Sequence, residues 1–364
     1  MAFAHLHVHT EYSLLDGSNK IREYVARVKE LGMDSAAITD HGVMYGVIDF
    51  YRAAREAGIK PILGCEVYVA PNSRFDKELT GGEERYHHLV LLAENNQGYS
   101  NLMKIVSAGF VEGYYYKPRV DLEVLEKYHE GIIALSACLA GEIPRFLTRG
   151  LYEEGKRAAL RYREIFGKNN FFLELQNHGI REQEIVNQQL VRMSSETGIE
   201  LVCTNDVHYT YAEDAGSHDI LLCIQTGKKV QDEDRMRYEG GQYYVKSPEE
   251  MAALFPYARE AIENTHKIAM RCNVNIEFGH YKLPEFPVPE GYDSWGYLQK
   301  LVWDGFYERY PEADEKLKER VSYELNTIKT MGFVDYFLIV WDFIHYAKKH
   351  DIMVGPGRGS AAGS

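Results

Sequence analysis

Residues 5–10 read HLHVHT, an apolar run that carries a histidine at every second position. In an extended strand successive side chains point to opposite faces, so we expect His5, His7 and His9 to share one face. His7 and His9 lie nearest the carboxyl end of this predicted strand, which makes them the better candidates for metal ligands. An HxH pattern alone predicts little, and its interpretation depends on the other apolar runs of the chain.

Six further apolar runs end at, begin at or enclose a residue that can hold a metal. They are ITDHG with His41, GCEVYVA with Glu66, HHLVLLA with His88, ALSAC with Cys138, LELQNHG with His178, and CTNDVHY with Asp206 and His208. Asp16 follows the first run in the turn SLLDG. Without His178, these segments supply nine candidate ligands, enough for up to three metal ions: His7, His9, Asp16, His41, Glu66, His88, Cys138, Asp206 and His208.

The same runs predict the fold. Segments rich in β-branched and apolar residues alternate with amphipathic stretches at helical spacing, such as Ile21, Val25 and Val28. This order favours an α/β fold with a parallel sheet, and seven strands favour a distorted, TIM-like (β/α)7 barrel. We expect the strands at 3–8, 35–39, 62–69, 89–93, 132–136, 171–175 and 201–204. A closed barrel would gather the carboxyl ends of these strands around one mouth.

One connection departs from the alternation. Residues 71–86 are polar, contain Gly81 and Gly82, and show no apolar stripe that could cover a sheet face. A parallel crossover is therefore unexpected here. If the fourth strand instead returns antiparallel to the third, His88 comes close to Glu66, and the exception supports the same site.

Composition limits the classes of function. The 364 residues are 45% hydrophobic, with a net charge of −13, which argues against a broad basic surface for nucleic acid. A polyanionic substrate would need local positive charge. The five cysteines form no CxxC pair, and no signal peptide or membrane span is evident, so we expect a cytoplasmic protein.

The ligand types indicate the metal and its chemistry. Imidazole and carboxylate with one thiolate suit zinc, with manganese or iron as the alternatives, better than magnesium or calcium. Three divalent ions would leave the pocket net positive despite its carboxylates. Such a cluster lowers the pKa of a bound water to roughly 7 and clamps the oxygens of a phosphoester. We expect Glu66 to bridge ions and to form the catalytic group with Asp206 and His208.

Three residues of the barrel segment are candidate substrate contacts. Lys117 and Arg119, in YYYKPRVD, could hold a second phosphate or a nucleic-acid backbone, although a solvated loop is an equal alternative. His178 could contact substrate, and a capping or supporting role is as well founded. We leave out His5, which we expect to be a hydrogen-bonded barrel residue.

Prolines at 284, 287 and 289, in a run without helical periodicity, mark a domain boundary. The sequence thus predicts a metal-dependent barrel over residues 1–278 and a mainly helical segment over 279–364. The chain ends in VGPGRGSAAGS, a glycine-rich turn that could cradle a phosphate through its backbone amides.

The motifs HLHVHTEYSLLDG, ITDHG, GCEVYVA, HHLVLLA, SACLAGEIP and NDVHY resemble the PHP (polymerase and histidinol phosphatase) domain. They are similar to the version at the N-terminus of the alpha subunits of C-family bacterial replicative DNA polymerases, and the tail resembles the start of the polymerase palm. The resemblance covers the whole chain. It implies a distorted seven-stranded barrel with a trinuclear metal site that has 3′→5′ exonuclease or other phosphoesterase activity.

The family's metal pattern falls on the nine candidate ligands, and none is replaced by a residue that cannot coordinate. The resemblance also implies DNA and other replisome subunits as partners, and nucleotide binding by Arg358 and Ser360. Because the family's polymerase aspartates lie further along, we interpret the chain as an N-terminal fragment without polymerase activity. A metal-stabilised scaffold without catalysis, and hydrolysis of pyrophosphate or a phosphomonoester, are the alternatives.

Overall fold

In the computed structural model, which describes residues 2–78, 85–280 and 282–355, the chain divides into two compact units. The units are Met1–Ile276 and Glu277–Ser364. The predicted identity of the second as a partial polymerase palm stays a prediction, and Arg358 and Ser360 lie outside the described residues.

The first unit contains the strands. They are β1 (Ser35–Ile38), β2 (Lys60–Val69), β3 (His87–Ala93), β4 (Tyr114–Tyr115), β5 (Lys117–Val120), β6 (Ile132–Leu135), β7 (Phe171–Leu175) and β8 (Leu201–Cys203). Its α-helices are α1 (Ile21–Glu30), α2 (Val47–Ala57), α3 (Asn96–Val111), α4 (Leu122–Tyr128), α5 (Glu142–Thr148), α6 (Tyr152–Phe166), α7 (Arg181–Thr197), α8 (Ala215–Thr226), α9 (Pro248–Leu254) and α10 (Arg259–Arg271).

The strands form one mixed sheet. β1 pairs in parallel with β2, and β6, β7 and β8 pair in parallel with one another. β3 runs antiparallel to both β2 and β6, with Tyr68 opposite His88. The prediction that the polar connection before residue 87 returns the chain antiparallel is therefore confirmed. The short hairpin of β4 and β5 joins the sheet at the end of β2.

The segment that carries His7 and His9 joins the two ends of this sheet. On one side Ala37 and Thr39 donate backbone hydrogen bonds to the carbonyls of His5 and Val8, at 3.0 and 2.9 Å. On the other side His9 donates to the Val207 carbonyl at 2.7 Å. Residues 5–9 thus act as the first of seven barrel segments, although they do not form a regular strand. The predicted α/β fold with a distorted seven-stranded barrel is confirmed.

Apolar side chains pack on both faces of the sheet. On β6, Ile133 and Leu135 belong to the cluster inside the barrel, whereas Ile132 and Ala134 pack under the helices. This is the alternation expected of a strand that is buried on both sides. Because the interior is filled, functional side chains can gather only at the ends of the barrel.

The second unit is helical, with α11 (Ser294–Arg309), α12 (Glu315–Thr330) and α13 (Val334–Lys349). Asp293 and Asp314 cap the first two of these helices by accepting hydrogen bonds from backbone amides of the first turn. Leu298, Leu325 and Leu338 form its small core. In the part of the chain that the structure describes, no helix is long and apolar enough to span a membrane.

Candidate metal centre

All nine predicted ligands lie together, around the carboxylate of Glu66. Glu66 is buried near the end of β2, and its Oε1 lies 3.2 Å from His7 Nε2, while its Oε2 lies 3.6 Å from His9 Nε2. Asp206 Oδ1 lies 3.1 Å from each of the same two imidazole nitrogens. These four side chains form the first of three contacting groups in the site.

His88 and Cys138 approach Glu66 from the neighbouring strands. His88 Nδ1 lies 3.0 Å from Glu66 Oε1, because the antiparallel return of β3 brings the start of that strand beside the end of β2. Cys138 follows β6, and its Sγ lies 3.7 Å from His88 Nδ1 and 4.0 Å from Glu66 Oε1.

A third group surrounds His41. Its Nε2 lies 3.0 Å from Asp16 Oδ2, its Nδ1 lies 2.6 Å from Glu66 Oε2, and its ring stacks on His9 at 3.9 Å. His208 Nε2 lies 3.9 Å from Asp16 Oδ1. Glu66 is therefore in contact with histidines of all three groups.

Three sets of three residues can each hold an ion, because the ligand atoms within a set all lie within 4.8 Å of one another. The sets share members and are His7, His9 and Glu66; His41, Glu66 and His88; and His9, His41 and His208. Overlap of this kind is expected where neighbouring cations share ligands, as in sites that clamp a phosphoester.

The hydrogen bonding of these side chains fits a metal centre. Among the described residues, six ligand atoms are buried without a hydrogen-bond partner: His7 Nε2, His9 Nε2, Asp16 Oδ1, His41 Nδ1, Glu66 Oε2 and Asp206 Oδ1. A buried polar atom without a partner destabilises the fold by roughly 1–3 kcal/mol. A cation would satisfy all six through their lone pairs, and nitrogen and oxygen donors with one thiol suit zinc, manganese or iron.

Neighbouring groups orient the imidazoles. Glu174 Oε1 lies 2.7 Å from His7 Nδ1, the carbonyl of Asp206 lies 2.7 Å from His208 Nδ1, and Ser13 Oγ lies 3.1 Å from His9 Nδ1. Each of these oxygens accepts a hydrogen bond from Nδ1–H, which leaves the Nε2 lone pair directed at the centre. Supporting contacts of this kind are typical of metal-binding histidines.

Glu174 is a candidate supporting residue that the sequence motifs do not reveal. It lies in β7 and is fully enclosed, and the one available signal was an acidic residue inside the apolar run FFLEL. Nothing in that run identifies its partner, because His7 is 167 positions away.

Charge is divided unevenly among the imidazoles. Burial alone would lower the pKa of His41, but Glu66 and Asp16 outweigh it and raise that pKa to about 10. For His9, burial together with His41 and His208 lowers the pKa to about 3. Protonated imidazole thus balances part of the carboxylate charge, and binding of a cation would release those protons.

Backbone strain is concentrated at the same mouth. Five described residues other than glycine have a positive φ, and three of them adjoin or are ligands: Leu15 at 62°, Ala137 at 62° and Asp206 at 44°. Leu15 precedes Asp16, and Ala137 precedes Cys138. A left-handed conformation costs a residue with a β-carbon roughly 1–2 kcal/mol and persists where the surrounding structure enforces it.

Of the predicted substrate contacts, Lys117 lies beside the centre. It lines a cleft of about 250 Å³ together with Asp16 and His41, and its Nζ lies 5.5 Å from the centre of the Tyr68 ring. Its position is compatible with binding of a phosphate next to the metal ligands.

Arg119 and His178 are placed differently. Arg119 is fully buried, and its guanidinium donates to the carbonyls of Asp76 at 2.6 Å and Arg74 at 3.3 Å. The structure therefore argues against the predicted substrate contact of Arg119, because its donors are used inside the protein.

His178 is also buried, and its pKa is lowered to about 4 by burial. Its Nδ1 accepts a hydrogen bond from Gln183 at 2.8 Å, and its Nε2 donates to the carbonyl of Asn205 at 2.9 Å. These contacts argue against a substrate contact and favour the supporting role, since Asn205 precedes the ligand Asp206.

The sequence matches two protein-family models. Residues 5–178 match the PHP domain, and residues 296–364 match the bacterial DNA polymerase III alpha NTPase domain. The barrel segment is therefore similar to PHP domains, and the helical segment is similar to the polymerase family.

The chain is similar along its whole length to DNA polymerase III subunit alpha. It is 48% identical over 365 residues to that subunit of Treponema pallidum and 48% identical over 364 residues to that of Borreliella burgdorferi. Each alignment covers 100% of this chain but only 31% and 32% of the relative. The chain thus spans about a third of the length of the curated relatives it matches.

Solved structures show a weaker likeness. An amidohydrolase from Chromobacterium violaceum is 16% identical, with a TM-score of 0.38, over 57% of this chain and 88% of that one. A two-domain protein from Bacteroides vulgatus that contains a predicted PHP-like metal-dependent phosphoesterase is 14% identical, with a TM-score of 0.32, over 73% of this chain and 63% of that one. At these scores the structural likeness adds nothing to the assignment made from sequence.

Proposed function

We propose that the barrel is a metal-dependent phosphoesterase that removes nucleotides from DNA 3′ ends, as a 3′→5′ proofreading exonuclease within a bacterial DNA polymerase III alpha subunit. The observation that carries the proposal is the gathering of buried imidazoles and carboxylates around Glu66, with six ligand atoms that have no partner of hydrogen-bond geometry among the described residues. The parent protein is then a DNA-directed DNA polymerase of the bacterial cytoplasm, which works on DNA together with other replisome subunits.

The proposed centre holds three divalent ions, zinc first and manganese or iron as alternatives. What supports this number is the overlap of three ligand sets through His9, His41 and Glu66. Ions bound there would supply Lewis-acid activation of water and of the phosphoryl oxygens. Glu66 would bridge ions, since its two oxygens contact histidines on different sides of the site.

The protein side chains would then hold the scissile phosphodiester and the water in line. A bond forms between the water oxygen and phosphorus, and the bond from phosphorus to the 3′ oxygen of the penultimate nucleotide breaks. The proton lost by the water ends on that 3′ oxygen, so the products are a nucleoside 5′-monophosphate and a shortened strand with a 3′ hydroxyl. Asp206 and His208 are the proposed groups next to the reacting atoms. Lys117 would supply local positive charge, which a chain of net charge −13 needs for a polyanionic substrate.

The test is hydrolysis of a 5′-labelled single-stranded oligonucleotide by the metal-loaded 364-residue chain. We expect a ladder of strands shortened from the 3′ end, loss of the ladder with chelator, and loss of the ladder in His9→Ala. Parallel reactions with inorganic pyrophosphate and a phosphomonoester compare the turnover of small phosphates with that of DNA, and we expect DNA to be the preferred substrate. Absence of strand shortening in the wild type, with His9→Ala indistinguishable from it, would overturn the proposal.

A second candidate function is a metal-stabilised scaffold for replication partners. It is favoured by the origin of the ligands, which come from chain segments spread from His7 to His208 and would cross-link most of the barrel. Under this alternative, chelation lowers the melting temperature of a protein that has no measurable hydrolytic activity.

A further inference from the structure

The cleft beside the candidate metal ligands is rich in aromatic residues. Asp16 and His41 line it, and so do six aromatic residues: Tyr12, Tyr45, Tyr68, Phe110, Tyr114 and Tyr116. Apart from the candidate ligands, its one charged lining residue is Lys117. An opening of this composition next to a phosphoesterase centre suits a ligand with flat apolar faces and negative charge.

Three of these rings are more than half exposed. Tyr45 is 58% exposed, Tyr114 is 54% exposed and Tyr116 is 61% exposed. Exposed aromatic residues that gather in one place are typical of binding surfaces, because a ligand face can remove them from water.

Tyr116 is also held in a strained backbone conformation. It forms the tip of the hairpin between β4 and β5, where Tyr115 pairs with Lys117, and its φ is 61°. Glycine is the usual residue at such a tip, since it adopts positive φ without a steric penalty. A bulky ring that protrudes from a strained turn points to a role outside the fold.

Cationic groups accompany the rings. The guanidinium carbon of Arg85 lies 4.1 Å from the centre of the Tyr116 ring, and Lys117 Nζ lies 5.5 Å from that of Tyr68. The Tyr68 ring in turn stacks near the ligand His41 at 6.2 Å. Aromatic faces interleaved with positive charge are what single-stranded nucleic acid requires, because bases stack on the rings while the cations contact the phosphates.

We propose that this aromatic cleft binds the unpaired bases of a single nucleic-acid strand, with Tyr45, Tyr114 and Tyr116 as stacking partners and Lys117 beside the backbone. The inference rests on the proposed function and narrows its substrate to strands whose last bases are unpaired. Bases inside a duplex stack on one another and have no free faces, so a paired end would have to open before it entered the cleft.

The experiment compares two fluorescent probes of equal backbone charge: an oligodeoxythymidylate of about twelve nucleotides and an abasic strand of the same length. Binding to the full chain is measured by fluorescence anisotropy in the presence of chelator, so that no strand is cut. We expect the wild type to prefer the thymidine strand, and Tyr116→Gly to weaken its binding about tenfold. The affinity of Tyr116→Gly for the abasic strand should change less than twofold.

Tyr116→Gly separates binding from folding, because glycine suits the positive φ and the melting temperature should not fall. A variant that carries both Tyr45→Ala and Tyr114→Ala should show a smaller preference for the thymidine strand over the abasic strand than Tyr116→Gly does. Tyr257→Ala removes a comparably exposed tyrosine from a different cleft and should leave binding of both probes unchanged.

The outcomes distinguish this inference from the proposed function. If the wild type shortens DNA but binds both probes equally, or if Tyr116→Gly keeps the full preference, the aromatic cleft is not a base-binding site, and a protein-contact surface becomes the better assignment. If the preference depends on Tyr116 but no strand is ever shortened, the cleft stands and the exonuclease proposal fails.

Discussion

Two polar clusters with buried charged residues occupy the same barrel, and their hydrogen bonding differs. In the arginine cluster, Arg74 donates to Asp121 at 3.1 Å, to Glu112 at 2.6 Å and to Glu123 at 2.9 Å, while Arg119 donates to backbone carbonyls. In the ligand cluster around Glu66, carboxylates face imidazoles, and six ligand atoms of the described residues make no contact with hydrogen-bond geometry.

The arginine cluster contains its own cations, and so its carboxylates are satisfied within the chain. The ligand cluster has carboxylates and imidazoles in excess of the protons they can share. The difference teaches that burial of charge by itself does not identify a functional site, whereas buried imidazoles and carboxylates from distant segments that gather around one carboxylate favour a cation site.

The sharpest test of this comparison removes one carboxylate charge from each cluster. Asp206→Asn should reduce strand shortening by about 10³-fold, or about 4 kcal/mol, because it removes the negative charge of the carboxylate whose Oδ1 lies 3.1 Å from both His7 Nε2 and His9 Nε2. Single-turnover kinetics on a labelled oligonucleotide measures the effect.

The matched control is Asp121→Asn in the arginine cluster. It should lower the melting temperature and leave the rate per folded molecule unchanged. Equal loss of rate in both variants would mean that the two clusters do not differ in function.

Arg119→Met tests the arginine cluster together with the prediction that Arg119 contacts substrate. It should destabilise the fold by about 3 kcal/mol, since the carbonyls of Asp76 and Arg74 lose their buried donor. Urea denaturation measures the loss. A raised KM for DNA without loss of stability would instead restore Arg119 as a substrate contact.

Metal removal should destabilise the barrel through the ligand cluster, because the arginine cluster contains its own cations and needs no metal. At a free zinc concentration 100 times Kd, a single bound ion stabilises by about 2.7 kcal/mol, and chelator removes that increment. Thermal melts with and without chelator measure it. The shift should be much smaller in His9→Ala, while a shift of equal size there would place the stabilising ion elsewhere.

The smallest effect is expected from Glu174→Gln. Its carboxylate accepts from His7 Nδ1 and holds that ring with Nε2 towards Glu66, so the amide should weaken zinc binding by about 10–100-fold. Competition with a colorimetric chelator measures the affinity. Glu263→Gln, an exposed glutamate on α10, serves as the control, and an equal loss there would remove Glu174 from the site.

Much of the fold was predictable from local patterns. The strand and helix order follows from apolar runs and helical spacing, and the polar stretch before residue 87 correctly predicted the antiparallel return of β3. The irregular closure by residues 5–9 was not predictable, because a run with alternate histidines has the pattern of an ordinary strand.

The sequence by itself determined which side chains are available for coordination and which strand ends carry them, since residue type and the period of a strand are local properties. Only the tertiary structure decided their partners. Glu174 meets His7 across 167 positions, Arg119 turns inward to carbonyl groups, and Tyr116 protrudes from a strained turn. These outcomes depend on long-range packing and on which buried atoms find a hydrogen-bond partner, and no local pattern encodes either.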